Sequence, residues 1–204
     1  MKIHTFPLGQ MLANCYLVEN GVSCLVIDPG DSADFILEKT QRMKLKCLGL
    51  FATHGHFDHI MAVGELQLSI NAPFYINKKD LFLVERLNET AKYFLGYDPN
   101  ILPPQKVEFL TSNNLLLNIF NFKLLHTPGH TPGSCCYFLE KENVVFTGDT
   151  LFKRGIGRYD YSYSDKEMLF KSLKTLFKLP KSTKIYPGHE DFSTLGKAKS
   201  FLSL

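Results

Sequence analysis

Five of the seven histidines fall in three glycine-containing turns: Thr53-His54-Gly55-His56-Phe57-Asp58-His59, Pro128-Gly129-His130 and Pro187-Gly188-His189. The first turn packs four ligand-type side chains into six residues. Imidazole nitrogen and carboxylate oxygen together suit zinc, iron or manganese, and the lack of cysteine in the cluster argues against a closed structural zinc site. A catalytic site instead keeps a coordination position open for water. The candidate ligands are His54, His56, Asp58, His59, His130, Asp149 and His189. They are too many for one tetrahedral ion and about right for two ions sharing a carboxylate. Asp149, in Phe146-Thr147-Gly148-Asp149-Thr150, is assigned as that bridge. One histidine in a turn is more often a hydrogen-bonded structural residue than a ligand, and an aspartate after Thr-Gly more often caps a turn. The HxHxDH spacing, joined by two further Pro-Gly-His turns, carries the assignment. His4 and His126 have no such motif and read as structural, as does Asp28-Pro29-Gly30, which ends a strand and starts a helix. Asp160 and Asp165 read as solvated or capping.

Ligands must converge from rigid strand ends, with tight turns that let backbone approach closely. Each turn does follow a strand-like stretch. Residues 15–19 and 23–28 read as two short strands around the hairpin dipeptide Asn20-Gly21. Asp31 or Ser32 can cap a helix running to about Lys44, and Cys47 to Ala52 is a buried-type strand leading into His54. Asp58 to about Ile70 reads as one helix, Phe74–Ile76 as a strand, and Lys78–Lys92 as an amphipathic helix with Leu81, Val84 and Leu87 on one face. Residues 93–105, with aromatics among Gly and Pro, suggest a lid, a binding loop or a packed surface loop, and are expected to face the substrate. Leu115–Leu125, Ser134–Leu139 and Asn143–Phe146 read as strands. Ser164-Asp165-Lys166-Glu167 is a capping-box pattern opening a helix that ends before Pro180, and Lys184–Tyr186 is a last strand delivering His189. Strands then helices, twice over, suggest two sheets packed face to face with helices outside, an α/β (α+β) chain.

The composition is that of a globular protein, 45% hydrophobic and 21% charged. At 204 residues one compact domain spanning 1–204 is expected. The net charge of +3 is dispersed, without the basic stripe of a nucleic-acid surface, so a small anionic molecule is the expected partner. Five cysteines without CxxC spacing read as buried reduced thiols. No apolar run approaches the ~20 residues that cross a bilayer, and the N-terminus has no signal-peptide pattern. No membrane partner and a cytoplasmic location are therefore expected.

Beyond this reading, the chain resembles the metallo-β-lactamase fold superfamily. Within it the chain is similar to short, single-domain members of the hydroxyacylglutathione hydrolase (glyoxalase II) group. The motifs that carry the likeness are Asn14-Cys15-Tyr16-Leu17, Asp28-Pro29-Gly30, THGHFDH at 53–59, HTPGHTPGS at 126–134, FTGDTLF at 146–152, GIGR at 155–158 and YPGHE at 186–190. The resemblance implies a four-layered αββα sandwich with the metals at one edge of the two sheets. It gives His54, His56 and His130 to one ion, Asp58, His59 and His189 to the other, and Asp149 to both. Many true β-lactamases place Cys or Ser where Asp149 stands, which argues against antibiotic hydrolysis. The flavin-linked diiron reductases typically carry Glu where His56 stands, and need a flavodoxin domain for which 204 residues leave no room.

The expected activity is cleavage of a thioester such as S-lactoylglutathione by a hydroxide held between two divalent ions, zinc first, with iron or manganese as alternatives. Asp58 is a ligand that also orients the hydroxide. Long glyoxalase II proteins bind glutathione through a separate C-terminal helical domain, whereas only about fifteen residues follow His189 here. Arg158 stands where the long form has a basic residue contacting glutathione, and is expected to bind an anionic substrate or to form a surface ion pair. The stretch Leu151–Arg158 also resembles the persulfide dioxygenases, mono-iron oxidoreductases using two His and one Asp. A lactonase or phosphodiesterase of the same fold is a further alternative.

Overall fold

The computed structural model describes residues 1–202. The chain divides into two compact units, Met1–Leu110 and Thr111–Leu204.

The first unit is built on a six-stranded sheet, β1 (Lys2–Leu8), β2 (Ala13–Glu19), β3 (Ser23–Ile27), β4 (Lys46–Phe51), β5 (Phe74–Ile76) and β6 (Val107–Phe109), in that order. β1 to β3 run antiparallel and β3 to β6 parallel. The parallel half is joined by α1 (Ala33–Arg42), α2 (Phe57–Ile60), α3 (Val63–Ser69), α4 (Leu81–Glu85) and α5 (Leu87–Leu95), which is how parallel neighbours must be connected. β2 and β3 are buried along their whole length, so the sheet centre is covered on both faces. Val26, Leu50 and Phe74 pack with Ile36 of α1, Val63 and Leu66 of α3 and Ala91 of α5 into one core.

The second unit carries another six-stranded sheet. Its members are β7 (Asn114–Leu117), β8 (Phe120–His126), β9 (Cys135–Leu139), β10 (Val144–Gly148), β11 (Lys184–Pro187) and β12 (Ser193–Thr194), again in sequence order. Only β10 and β11 are parallel, and the connection between them contains α6 (Lys166–Leu176). Cys136, Val145 and Ile185 of the sheet pack with Leu173 and Leu176 of α6 and with Leu195 and Ala198 of α7 (Leu195–Phe201).

The expected α/β class holds, with differences of detail. Residues 58–70 form two helices: the amide of Ala62, which would continue the helix by bonding Asp58, donates to the carbonyl of Pro29 at 3.1 Å. Residues 78–92 form a 3-10 turn (Lys78–Asp80) followed by α4 and α5, and α5 runs on to Leu95, shortening the expected loop. Residues 115–125 form a hairpin because Asn118 adopts a positive φ of 56°, which a short polar side chain tolerates. Asp165 caps α6 through its carboxylate on Met168 N at 2.9 Å, and the Ser164 hydroxyl donates to the carbonyl of His130 at 2.7 Å, so the capping box does not form. The cysteines carry free thiols, four buried and Cys47 partly so. None of the described helices is long and apolar enough to cross a membrane.

Candidate functional site

In the first unit two neighbouring strands stop together: the amide of Asp28, just past β3, donates to the carbonyl of Phe51, the last residue of β4, at 2.7 Å. Asp28 is completely buried, and each of its carboxylate oxygens is used. Oδ1 accepts from Thr53 N at 2.7 Å; Oδ2 accepts from Thr53 Oγ1 at 2.8 Å and from His59 Nδ1 at 3.1 Å. One carboxylate thereby fixes both ends of the THGHFDH turn.

These bonds also fix tautomers. The Thr53 hydroxyl proton is committed to Asp28, so His54 Nδ1, 3.1 Å from Thr53 Oγ1, carries the proton of that contact and His54 Nε2 presents a lone pair. That lone pair faces His56 Nδ1 at 3.0 Å, both rings being buried. His59 gives its Nδ1 proton to Asp28, and its Nε2 faces Asp58 Oδ2 at 3.7 Å. Donor atoms of His54 and His59 also lie within 4.8 Å of one another. The turn is held from a second side by Asp80, another fully buried carboxylate, which accepts the Gly55 amide at 2.9 Å. Gly30 is required where it stands, because a Cβ there would sit 1.7 Å from the carbonyl oxygen of Asp58.

The second unit gathers its donors at the ends of β8, β10 and β11. Thr127 and Thr150 join hydroxyls at 3.0 Å, and Gly188 N donates to Gly148 O at 2.9 Å, tying the turns that carry His130, Asp149 and His189. α6 braces the first of these: Asp165 N bonds Gly129 O at 2.8 Å, and Ser172 Oγ bonds Pro128 O at 2.7 Å. His130 Nδ1 donates to the carbonyl of Arg158 at 2.8 Å, so its Nε2 is unprotonated in the neutral ring and faces Asp149 Oδ2 at 3.5 Å. His189 Nε2 lies 3.8 Å from the same oxygen and is the more accessible of the two rings. Gly157 permits this wrap, since a Cβ there would lie 1.8 Å from the Asp149 carbonyl oxygen.

An imidazole lone pair aimed at a carboxylate oxygen is repulsive unless a proton or a metal ion stands between them. In both units the hydrogen bonds behind the rings create that situation, and a divalent metal fits it, with a backing carboxylate or carbonyl on the far nitrogen as metal-bound histidines require. The candidate ligands thus lie in the turns that follow strands or, for Asp58 and His59, on α2 directly after such a turn, each facing another candidate of its own unit. The structural reading of Asp28 holds, but the sequence reading did not foresee its bonds to Thr53 and His59, and it missed Asp80. The only signal was a carboxylate directly after an apolar strand and another opening a helical segment, and both patterns usually mean a turn or cap. Arg158 is exposed, with Nε and Nη2 on Asp160 at 2.9 and 2.8 Å and its guanidinium 4.7 Å from the Tyr161 ring centre. The Asp160 hydrogen bonds raise the Arg158 pKa, and Arg158 holds the Asp160 carboxyl below its usual value.

The sequence model of the Metallo-beta-lactamase superfamily matches residues 8–189. The chain is 35% identical, over 98% of its length and 95% of the other, to a Haemophilus influenzae protein named hydroxyacylglutathione hydrolase GloC. The crystal structure of the BLEG-1 B3 metallo-beta-lactamase superposes with a TM-score of 0.89 at 30% identity, covering 98% of this chain and 97% of that one. The structure of TTHA1623 in a di-iron-bound form gives a TM-score of 0.87 at 37% identity, covering 97% and 96%.

Proposed function

The chain belongs to the metallo-β-lactamase superfamily, and from that premise we propose that it is a dinuclear metal-dependent hydrolase of thioesters, with S-lactoylglutathione as the representative substrate. The observation that carries the metal chemistry is the opposition of His130 Nε2 to Asp149 Oδ2 and of His59 Nε2 to Asp58 Oδ2, each ring being locked from behind. The proposed ligand sets are His54, His56 and His130 for one ion and Asp58, His59 and His189 for the other, with Asp149 shared. Zinc is the proposed metal, and the same nitrogen and oxygen donors suit iron and manganese. Two such ions would supply Lewis acidity and lower the pKa of bound water toward ~7.

The chain's own groups do the rest. Asp58, on a helix turn pinned by Gly30 and Asp28, orients the nucleophile and can hold a proton during attack on the thioester carbon. Of the five N–H donors of the Arg158 guanidinium, Nε and Nη2 engage Asp160, and the others are proposed to meet a carboxylate of the thiol carrier. Support for the thioester comes from the Haemophilus relative, similar over nearly the full length, and from an aspartate at position 149. A cytoplasmic location and small anionic substrates belong to the same proposal.

The test is steady-state hydrolysis of S-lactoylglutathione by metal-quantified protein, followed by thioester absorbance, beside a β-lactam and a lactone. The expected result is thioester turnover that chelation removes and metal restores. No thioester turnover with two metals bound, or faster cleavage of the β-lactam, would reject the substrate assignment. Oxygen uptake on a persulfide with one equivalent of iron would reject the hydrolase in favour of a dioxygenase.

A further inference from the structure

The first unit holds a cleft of about 490 Å³ that contains none of the seven metal-ligand candidates. Its walls are Asp31 and Ser32 just before α1, Met61 and Ala62 between α2 and α3, Glu65 and Leu68 of α3, and Tyr97 with residues 99–102. The volume is within the usual range for a small-molecule site, ~300–1,000 Å³.

The lining has a definite chemistry. Leu68 is 72% exposed, Tyr97 50% and Leu102 37%, so large apolar surface is left bare around one concavity. No Lys, Arg or His lines it, in a chain whose net charge is +3. The two ionisable groups of full charge are Asp31 and Glu65. Asp31 uses Oδ1 to accept from Ser32 N and Oγ, whereas its Oδ2 accepts no hydrogen bond among the described residues and has one side against Gly9, where a Cβ would come within 2.4 Å of it. Glu65 makes no hydrogen bond or ion pair among them. The cleft therefore offers two carboxylates with acceptor capacity to spare, a phenol ring and an apolar floor of Met61 and Ile101.

We propose that this cleft is a second binding site, distinct from the metal ligands, for a small amphipathic organic cation. The ammonium is held by Asp31 and Glu65 through charge-assisted hydrogen bonds, with the Tyr97 face available for a cation–π contact. The apolar body of the ligand covers Met61, Leu68 and Ile101. Charge complementarity selects this occupant over an anion of equal length, which would bring like charge to both carboxylates. The cleft also reaches the metal turn through the backbone: Asp31 follows Gly30, on which the Asp58 carbonyl packs, and the Ala62 amide bonds Pro29 O.

The experiment is isothermal titration of the metal-loaded chain with n-hexylammonium, and separately with n-hexanoate, repeated for E65Q and for D31N/E65Q. The proposal expects saturable 1:1 binding of hexylammonium and none of hexanoate. It further expects a Kd raised about fivefold in E65Q, the upper end for one exposed ion pair, and about 25-fold in the double variant. Absence of saturable binding, equal binding of hexanoate, or an unchanged Kd in the double variant would overturn it. The comparison of the two probes on the native chain decides even where a variant fails to fold.

Discussion

At the residue scale, Asp28 is the group that positions the candidate ligands of residues 54–59 without being one itself. Its buried carboxylate sets the tautomers of His54 and His59 together, through Thr53 and directly. Asp28→Asn keeps the size but puts an N–H₂ where an acceptor is needed. Metal affinity is expected to fall about 10- to 100-fold with the far-ultraviolet circular dichroism unchanged, as for other backing carboxylates. Equal metal binding by the variant would remove Asp28 from the positioning role. The seven candidate ligands were legible as candidates because donor-type residues sit together in a few Gly-containing turns. Asp28 was legible as a strand-ending structural residue, but its hold on the histidine turn was not, because its partners Thr53 and His59 lie 25 and 31 residues away.

At the element scale, two turns require glycine for reasons the sequence pattern cannot display. The obstruction at Gly30 is the Asp58 carbonyl and at Gly157 the Asp149 carbonyl, both backbone atoms that cannot rotate away. Gly157→Ala is expected to destabilise the protein by about 1–3 kcal/mol, the range for overpacking, and to weaken metal binding at Asp149. Thermal denaturation of loaded and chelated protein measures both, and an unchanged midpoint would contradict the close approach. Strand pairs closed by short turns, such as β2 and β3 around Asn20-Gly21, were legible in the sequence. The broken helix at 58–70 was not, since the break comes from a long-range bond of Ala62 N to Pro29 O rather than from a proline or glycine at the break. β1 was also missed: its burial alternates weakly and it carries Pro7, as an edge strand allows.

At the scale of the whole molecule, the proposed centre draws ligands from residues 54–59 and from residues 130, 149 and 189, so metal affinity and fold stability are linked. A ligand present at ~1,000 times its Kd stabilises by about 4 kcal/mol, which for a chain of this size is about 10 °C in Tm. Chelation is expected to lower the midpoint by that order, and zinc to restore it. A midpoint indifferent to chelation would mean that the donors hold no metal in the folded chain. The fold class and superfamily were legible because the motifs recur along nearly the entire sequence. The cleft at Asp31 and Glu65 was not, because its walls come from three segments that share no sequence pattern.

The most direct test of the central claim is a metal count: chelated protein reconstituted with zinc, freed of excess ion, and measured by elemental analysis beside Asp149→Ala. The account predicts two equivalents in the native chain, and loss of both bound metal and thioester hydrolysis in the variant. One equivalent or fewer in the native chain, or full activity in Asp149→Ala, would contradict it.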